Sequence, residues 1–272
     1  MLAALAPYAT ELCRSRIWPD TRLLQEVIAV RGITNQRGIP IRLVNAAGHS
    51  QSYEERVYLC GELEVRQEDW HDFFNVLAWF AYPRTKAALN ARHVSALAHE
   101  RAGAAGIPRA SRSPNRGPVR DALTLFDESG AVVISSDREL IEDLRAFRWK
   151  KLFWDARQRV SSAMRFHVLG HAVLAKALSP YIGMTAHAIT FHEGASVIQL
   201  PVEQQMLHVD QKVAEYVSEC GHMTTPHALA PLPLLGVPGW CLDSEAAAFY
   251  DNTRYFRRAR SRHTQLLEQR RP

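Results

Sequence analysis

Residues 69–90 read DWHDFFNVLAWFAYPRTKAALN, and the periodicity of this stretch decides how the rest of the chain is approached. Glu68 or Asp69 is placed to cap a helix that runs to about Ala81. Pro83 ends that helix, and a second follows from about Thr85 to Glu100, giving a helical hairpin with a short connection. On the first helix Trp70, Phe73, Phe74, Leu77 and Phe80 recur at steps of three and four and mark an apolar face. His71, Asn75 and Trp79 form a neighbouring stripe spaced by four, and Lys86, Asn90 and His93 repeat the arrangement on the second helix. Packed antiparallel, the two polar stripes face a common cleft near the PRTK turn.

Such a set of groups has a chemistry. His71 can act as a base, Asp72 can orient it or bind a metal, Arg84 and Lys86 can hold an anionic group, and Asn75 and Asn90 can position a substrate. The same residues also suit a bracing role, with the amides cross-linking buried backbone and Asp72 paired to Arg84 or Lys86. Periodicity alone leaves both readings open.

Length and composition narrow the class. A chain of 272 residues that is 47% apolar can bury a large core. The formal charge of +5 is a property of the C-terminus. Seven arginines from Arg254 to Arg271 stand there against Asp251 and Glu268, which leaves residues 1–250 neutral. Arginine outnumbers lysine 28 to 5, a skew that base composition in the genome can produce by itself. Cys13, Cys60, Cys220 and Cys241 are widely separated and form no Cys-x-x-Cys pair, which fits a reducing, cytoplasmic setting. The apolar N-terminal run is interrupted by Pro7 and Glu11 and lacks the basic start of an export signal. Residues 220–242 contain no charge, but Pro226, Pro231, Pro233 and Pro238 exclude an ordinary spanning helix, so a buried or surface-hugging loop and no membrane partner are expected.

Beyond the hairpin, residues 20–31, 138–150, 155–178 and 203–219 have helical patterns, and residues 53–65 carry the β-branched and aromatic pattern of extended chain. DALTLFDESGAVVISSD (121–137) and AHAITFHEGASVIQL (186–200) read as two short β-hairpins. The expected class is α+β and helix-dominated, a helical hairpin plus two short β-hairpins around one core. Residues 1–257 form one domain with a variable loop at about 100–118, and residues 258–272 form a basic tail.

Other constellations carry weaker chemistry. Arg116, Arg120 and Asp121 precede the run that ends in Asp127 and Glu128, where carboxylates beside arginines can hold a divalent metal or a phosphoester. Alternatively, these are an ordinary turn and an exposed ion pair. His167 and His171 stand four apart on the helix expected over 155–178, a spacing at which two imidazoles can share a metal, with His187 and His192 nearby in sequence. The residue after His167 is Val, so the Glu of a zincin is missing. Cys220, His222, His227 and Cys241 have zinc-ligand chemistry without zinc-site spacing. The arginines interleaved with Tyr250, Tyr255 and Phe256 suit RNA or an acidic partner.

Four blocks, ERVYLCGELEVRQEDWHDFFNVLAWFAYPRTKAALNARH, RGPVRDALTLFDESGAVV, LGHAVLAKALSPYIGMTAHA and PLPLLGVPGWCLDSEAAAFYDNTRYFRRAR, together resemble the proteobacterial family called domain of unknown function 3025, over roughly residues 15–260. The family has no established activity. The resemblance implies one family unit and marks as habitual Glu54, Arg56, Trp70, His71, Asp72, Asn75, Trp79, Pro83, Arg84, Thr85, Lys86, Asn90, Arg116, Asp121, Asp127, Glu128, Gly170 and His171. His167 is not among them.

The expectation is therefore an enzyme acting on an anionic or phosphoester substrate, by hydrolysis assisted by a divalent metal. His71, Asp72, Lys86 and Asp121 are its candidate catalytic residues. Asn75, Arg84, Asn90, Arg116 and Arg120 are candidates for holding the substrate, and His171 with His167 for holding the metal. The competing expectation is a non-catalytic module that binds RNA or protein, in which the same polar residues form a structural network.

Overall fold

The computed structural model describes residues 18–45, 51–103 and 116–258. The variable loop expected at 100–118 is described only at its two ends, and the tail from Ala259 onward lies outside the described residues. In order, the elements are α1 (Thr21–Arg31), β1 (Arg42–Val44), α2 (Tyr53–Cys60), β2 (Glu62–Glu64), α3 (Trp70–Ala81), α4 (Pro83–Gly103), α5 (Pro118–Ser129) and β3 (Gly130–Ser135). They continue with α6 (Arg138–Arg145), a single π-helical turn (Lys151–Asp155), α7 (Arg157–Ala163), β4 (Met164–Val168), α8 (His171–Lys176), β5 (Thr185–His192), α9 (Ala195–Ile198), α10 (Val202–Ser218) and β6 (Ala230–Pro233). The class is helix-dominated α+β, and the buried apolar side chains form one continuous cluster. Among the described residues no helix is long and apolar enough to cross a membrane.

The strands pair differently from the hairpins expected. β3 lies antiparallel to β4 and parallel to β5, and β5 lies antiparallel to β6, in the order β4-β3-β5-β6. Each expected hairpin is one helix and one strand. Residues 118–129 are helical because Pro118 sits in the first turn and Ala122, Leu123 and Phe126 share one buried face. Ser129-Gly130 is therefore the helix-to-strand junction and not a hairpin turn. All six residues of β3 are buried, as expected of a central strand covered on both faces. The segment around Glu193 and Gly194 is the end of β5 and the start of the short α9.

Two further corrections follow from local chemistry. Residues 53–60 are helix because Ser52 and Glu55 form a reciprocal capping box and Gly61, at φ 71°, takes the left-handed cap. The long helix expected over 155–178 is broken into α7, β4 and α8, since the alternating Met-Arg-Phe-His-Val pairs with β3. His167 therefore sits on a strand, and its helical spacing to His171 does not exist.

α3 and α4 are joined by Tyr82 alone, and one residue cannot reverse a chain as an antiparallel helical hairpin requires. The pair forms a corner instead, with α3 packed along α8 and α4 along α10. Pro83 is the first residue of α4 and not merely the end of α3. The start of α4 is fixed from α10, where the buried Asp210 carboxylate accepts the backbone N–H of Thr85 (2.8 Å) and of Arg84 (3.1 Å).

Candidate metal centre

Side chains from the corner and from three other helices converge on one cavity of about 660 Å³. α3 contributes His71, Asp72, Asn75 and Trp79, and α4 contributes Lys86, Asn90 and His93. Both polar stripes thus face the same space. α5 brings Thr124, Asp127 and Glu128, one face of a helix at steps of three and four, and α8 brings His171 at its first position.

The convergence of α5 and α8 depends on two glycines. Leu169 and Gly170 both donate their backbone N–H to the carbonyl of Gly130, at 3.1 and 3.0 Å. A Cβ on Gly170 would stand 2.4 Å from the backbone of Ser129 and of Gly130. This main-chain contact sets Glu128 beside His171.

The two imidazoles are 4.5 Å apart, centroid to centroid, at 75° to each other. Nε2 of His71 is 3.4 Å from Oε2 of Glu128, and Nε2 of His171 is 3.9 Å from Oε1 of the same carboxylate. Behind each ring stands another carboxylate. Nδ1 of His71 is 3.2 Å from Asp72 Oδ1, and Nδ1 of His171 is 3.8 Å from Asp127 Oδ2. Asp72 is held in turn by Arg66, which donates its backbone N–H and two guanidinium N–H groups at 2.8 to 2.9 Å. Asp127 is paired with the buried Nζ of Lys86.

The electrostatics follow from these contacts. Glu128, with Asp72 behind, raises the His71 pKa against the opposing effect of burial. Burial dominates at His171 and, despite Asp127, pushes it down to about 4, so that ring is neutral and free to act as a ligand at physiological pH. Burial would raise Asp72, but the Arg66 hydrogen bonds outweigh it and hold the carboxyl at about 2.

Around the cavity, Glu54, Glu64, Asp72, Asp127 and Glu128 face Arg66, Lys86 and Arg116 in the lining and Arg56 paired with Glu64 behind it, which leaves one negative charge in excess. His71, Glu128 and His171 each offer a ligand atom, all within 4.8 Å of one another. Around a tetrahedral ion with bonds of about 2.1 Å, neighbouring ligand atoms are about 3.4 Å apart. The His71–Glu128 distance of 3.4 Å already matches, and His171 stands farther out, 3.9 Å from the other oxygen of the same carboxylate. Two imidazoles and a carboxylate, with His71 hydrogen-bonded at Nδ1 to Asp72 and the Nδ1 of His171 facing Asp127 at 3.8 Å, form a donor set suited to a divalent transition metal.

Of the residues expected from sequence, His71, Asp72, Asn75, Lys86, Asn90, Arg116 and His171 share this cavity. Four do not. Asp121 is exposed and does not line the cavity. Arg84 binds Asp210 through its backbone, and its guanidinium reaches Gln211 at 3.4 Å. Arg120 pairs with Glu100 at 3.1 Å. His167 is buried on β4, away from the three-residue cluster. Glu128 comes into the site once residues 118–129 are read as helix, because Thr124, Asp127 and Glu128 then share a face. Tyr53, Glu54, Glu64 and Arg66 carried no periodic signal.

The Lys86–Asp127 pair gives a first prediction. Lys86→Met leaves Asp127 without its counter-ion and should cost about 2 to 4 kcal/mol in denaturant unfolding, somewhat below a fully enclosed pair because Asp127 keeps a quarter of its side chain exposed. A double variant with Asp127→Leu should recover much of that loss.

No curated protein and no solved structure matches the chain. The chain belongs to the family described as Protein of unknown function (DUF3025), which it matches over residues 41–260.

Proposed function

We propose that the protein is an enzyme that hydrolyses an anionic substrate, phosphoesters included, with a divalent metal held by Nε2 of His71, Nε2 of His171 and the Glu128 carboxylate. The observation that carries this reading is the convergence of both imidazoles on one carboxylate, each with a second carboxylate behind its Nδ1. Bound there, the ion would lower the pKa of a coordinated water and polarise the scissile group. Asp72 and Asp127 would fix ring orientation, so they and Lys86 are positioning residues rather than acids or bases. Arg116, exposed at the cavity and bonded to Thr124 Oγ1 at 2.9 Å, is the group available to hold the anion.

A network that only braced the fold would pair its polar atoms. Here Asn75 Oδ1, Asn90 Oδ1, Trp79 Nε1 and His93 Nδ1 are buried without a hydrogen-bond partner among the described residues, and the His71 side chain is 40% exposed. Both observations favour a ligand site over a non-catalytic RNA or protein module.

Elemental analysis of protein purified without chelator, followed by hydrolysis assays on aryl phosphomonoesters, phosphodiesters and carboxylate-bearing esters with Zn²⁺, Mn²⁺ or Fe²⁺, tests the reading. One metal per chain and metal-dependent turnover are expected; no metal uptake at millimolar concentration with any of the three would overturn it. pH supplies a further check. The ion must displace the His71 proton, so affinity should fall up to about tenfold per unit as pH drops below the raised pKa of that ring. In metal-free protein the sign is opposite. His71 then contributes stability below about pH 6.5, its unfolded value, and that contribution is lost as pH rises through the folded pKa.

A further inference from the structure

Two charged side chains lining the cavity have no ionic partner among the described residues. Glu54, half-buried in the first turn of α2, makes no side-chain hydrogen bond or ion pair. The guanidinium of Arg116 meets only the neutral Thr124 hydroxyl. Glu54, half-buried, would ordinarily find an opposite charge, whereas Arg116 is exposed at the cavity edge and open to an incoming anion.

A third group marks the place beside Glu54. Asn90 is 7% exposed, and its Nδ2 donates to the backbone carbonyl of Glu54 at 2.9 Å, which fixes the amide orientation and leaves Oδ1 as the free end. That oxygen is buried without a hydrogen-bond partner among the described residues. The Glu54 carboxylate and Asn90 Oδ1 line the same cavity and can only accept hydrogen bonds, so the group that completes them is a donor, and the carboxylate makes a cation the best donor. A protein lysine does not serve, since Lys86 is committed to Asp127.

We propose that the cavity takes a zwitterionic substrate, with a primary ammonium received by Glu54 and Asn90 Oδ1 and an anionic group received by Arg116. The inference deepens the hydrolase reading, and rests on it for the placement of the scissile bond at the metal. It rests on the cavity alone for the two charges. A volume of about 660 Å³ accommodates both ends together with a metal-bound water.

The test uses the full chain and a ladder of ω-amino acids from glycine to 6-aminohexanoate, with titration calorimetry on metal-free and Zn²⁺-loaded protein. One member of the ladder should bind at least tenfold more tightly than its N-acetylated form and its carboxamide. Glu54→Gln should abolish the preference for the free amine, and Arg116→Gln the preference for the free carboxylate, with Zn²⁺ stoichiometry and circular dichroism unchanged in both. Equal binding of the amine and its acetylated form, or a Glu54→Gln variant that keeps the preference, overturns the inference. The two readings fail separately. Charge-selective binding without metal-dependent turnover leaves the zwitterion site standing and removes the hydrolase; turnover without charge selectivity does the reverse.

Discussion

Replacing Glu128 by Gln should reduce metal affinity by roughly 100-fold or more, beyond the loss typical of a supporting residue, while leaving the melting temperature of the metal-free chain almost unchanged at a pH where His71 is neutral. The separation of the two effects follows from exposure. The Glu128 side chain is 42% exposed and at the end of α5, so an isosteric amide fits without leaving a cavity. It loses the anionic charge on which both Nε2 atoms converge. Asp72→Asn should cost less, about 10- to 100-fold, because it misorients the His71 ring without removing a ligand. Competition against a chromogenic chelator measures both affinities, and differential scanning fluorimetry of stripped protein measures the stability. A Glu128→Gln chain that binds metal as tightly as the natural one would show that the carboxylate is not a ligand.

The second large effect concerns backbone. Gly170→Ala should destabilise the fold by at least about 3 kcal/mol, because the added methyl meets main-chain atoms of Ser129 and Gly130 at 2.4 Å and no side chain can move aside to admit it. For a chain of this size that is a fall of about 6 to 12 °C in Tm. Any folded fraction should also bind metal poorly, since the same contact sets Glu128 beside His171. Gly194→Ala is the matched control. Its methyl meets nothing closer than Ser196 Oγ at 3.5 Å, and φ is −68°, so little change is expected. Equal stability of the two variants would mean that the close approach is relieved at small cost.

What the sequence made legible is what periodicity encodes. The stripes of His71-Asn75-Trp79 and Lys86-Asn90-His93 repeat at helical steps, and both line the cavity. The apolar face of α3 was legible for the same reason, except that Trp70 is 48% exposed and stacks edge-on against Trp18. Strand pairing was not legible. β3 finds β4 and β5 across intervening helices, and nothing local distinguishes Gly130 as the start of a buried central strand from Gly130 as the second residue of a turn. That misreading turned α5 into extended chain and hid the shared face of Asp127 and Glu128. It also favoured Asp121, about two turns earlier, as the acid. The spacing of His171 to His167 was a wrong reason for it, because a helix pattern over 155–178 cannot reveal the strand that interrupts it, whereas the family resemblance marked His171 without His167.

The exposure of His71 and Glu128, at 40% and 42% of their side chains, bears on how the protein would acquire its ion. A centre sealed in the core captures whatever is present while the chain folds and keeps it. A centre at the mouth of a cavity exchanges with its surroundings in the folded state. The ion found in such a site therefore reports the exchangeable metal pool of the cell and the order of intrinsic metal affinities, rather than the history of folding. Preparations from cultures grown on different metals should then differ in their bound ion and interconvert on dialysis, without passing through the unfolded chain.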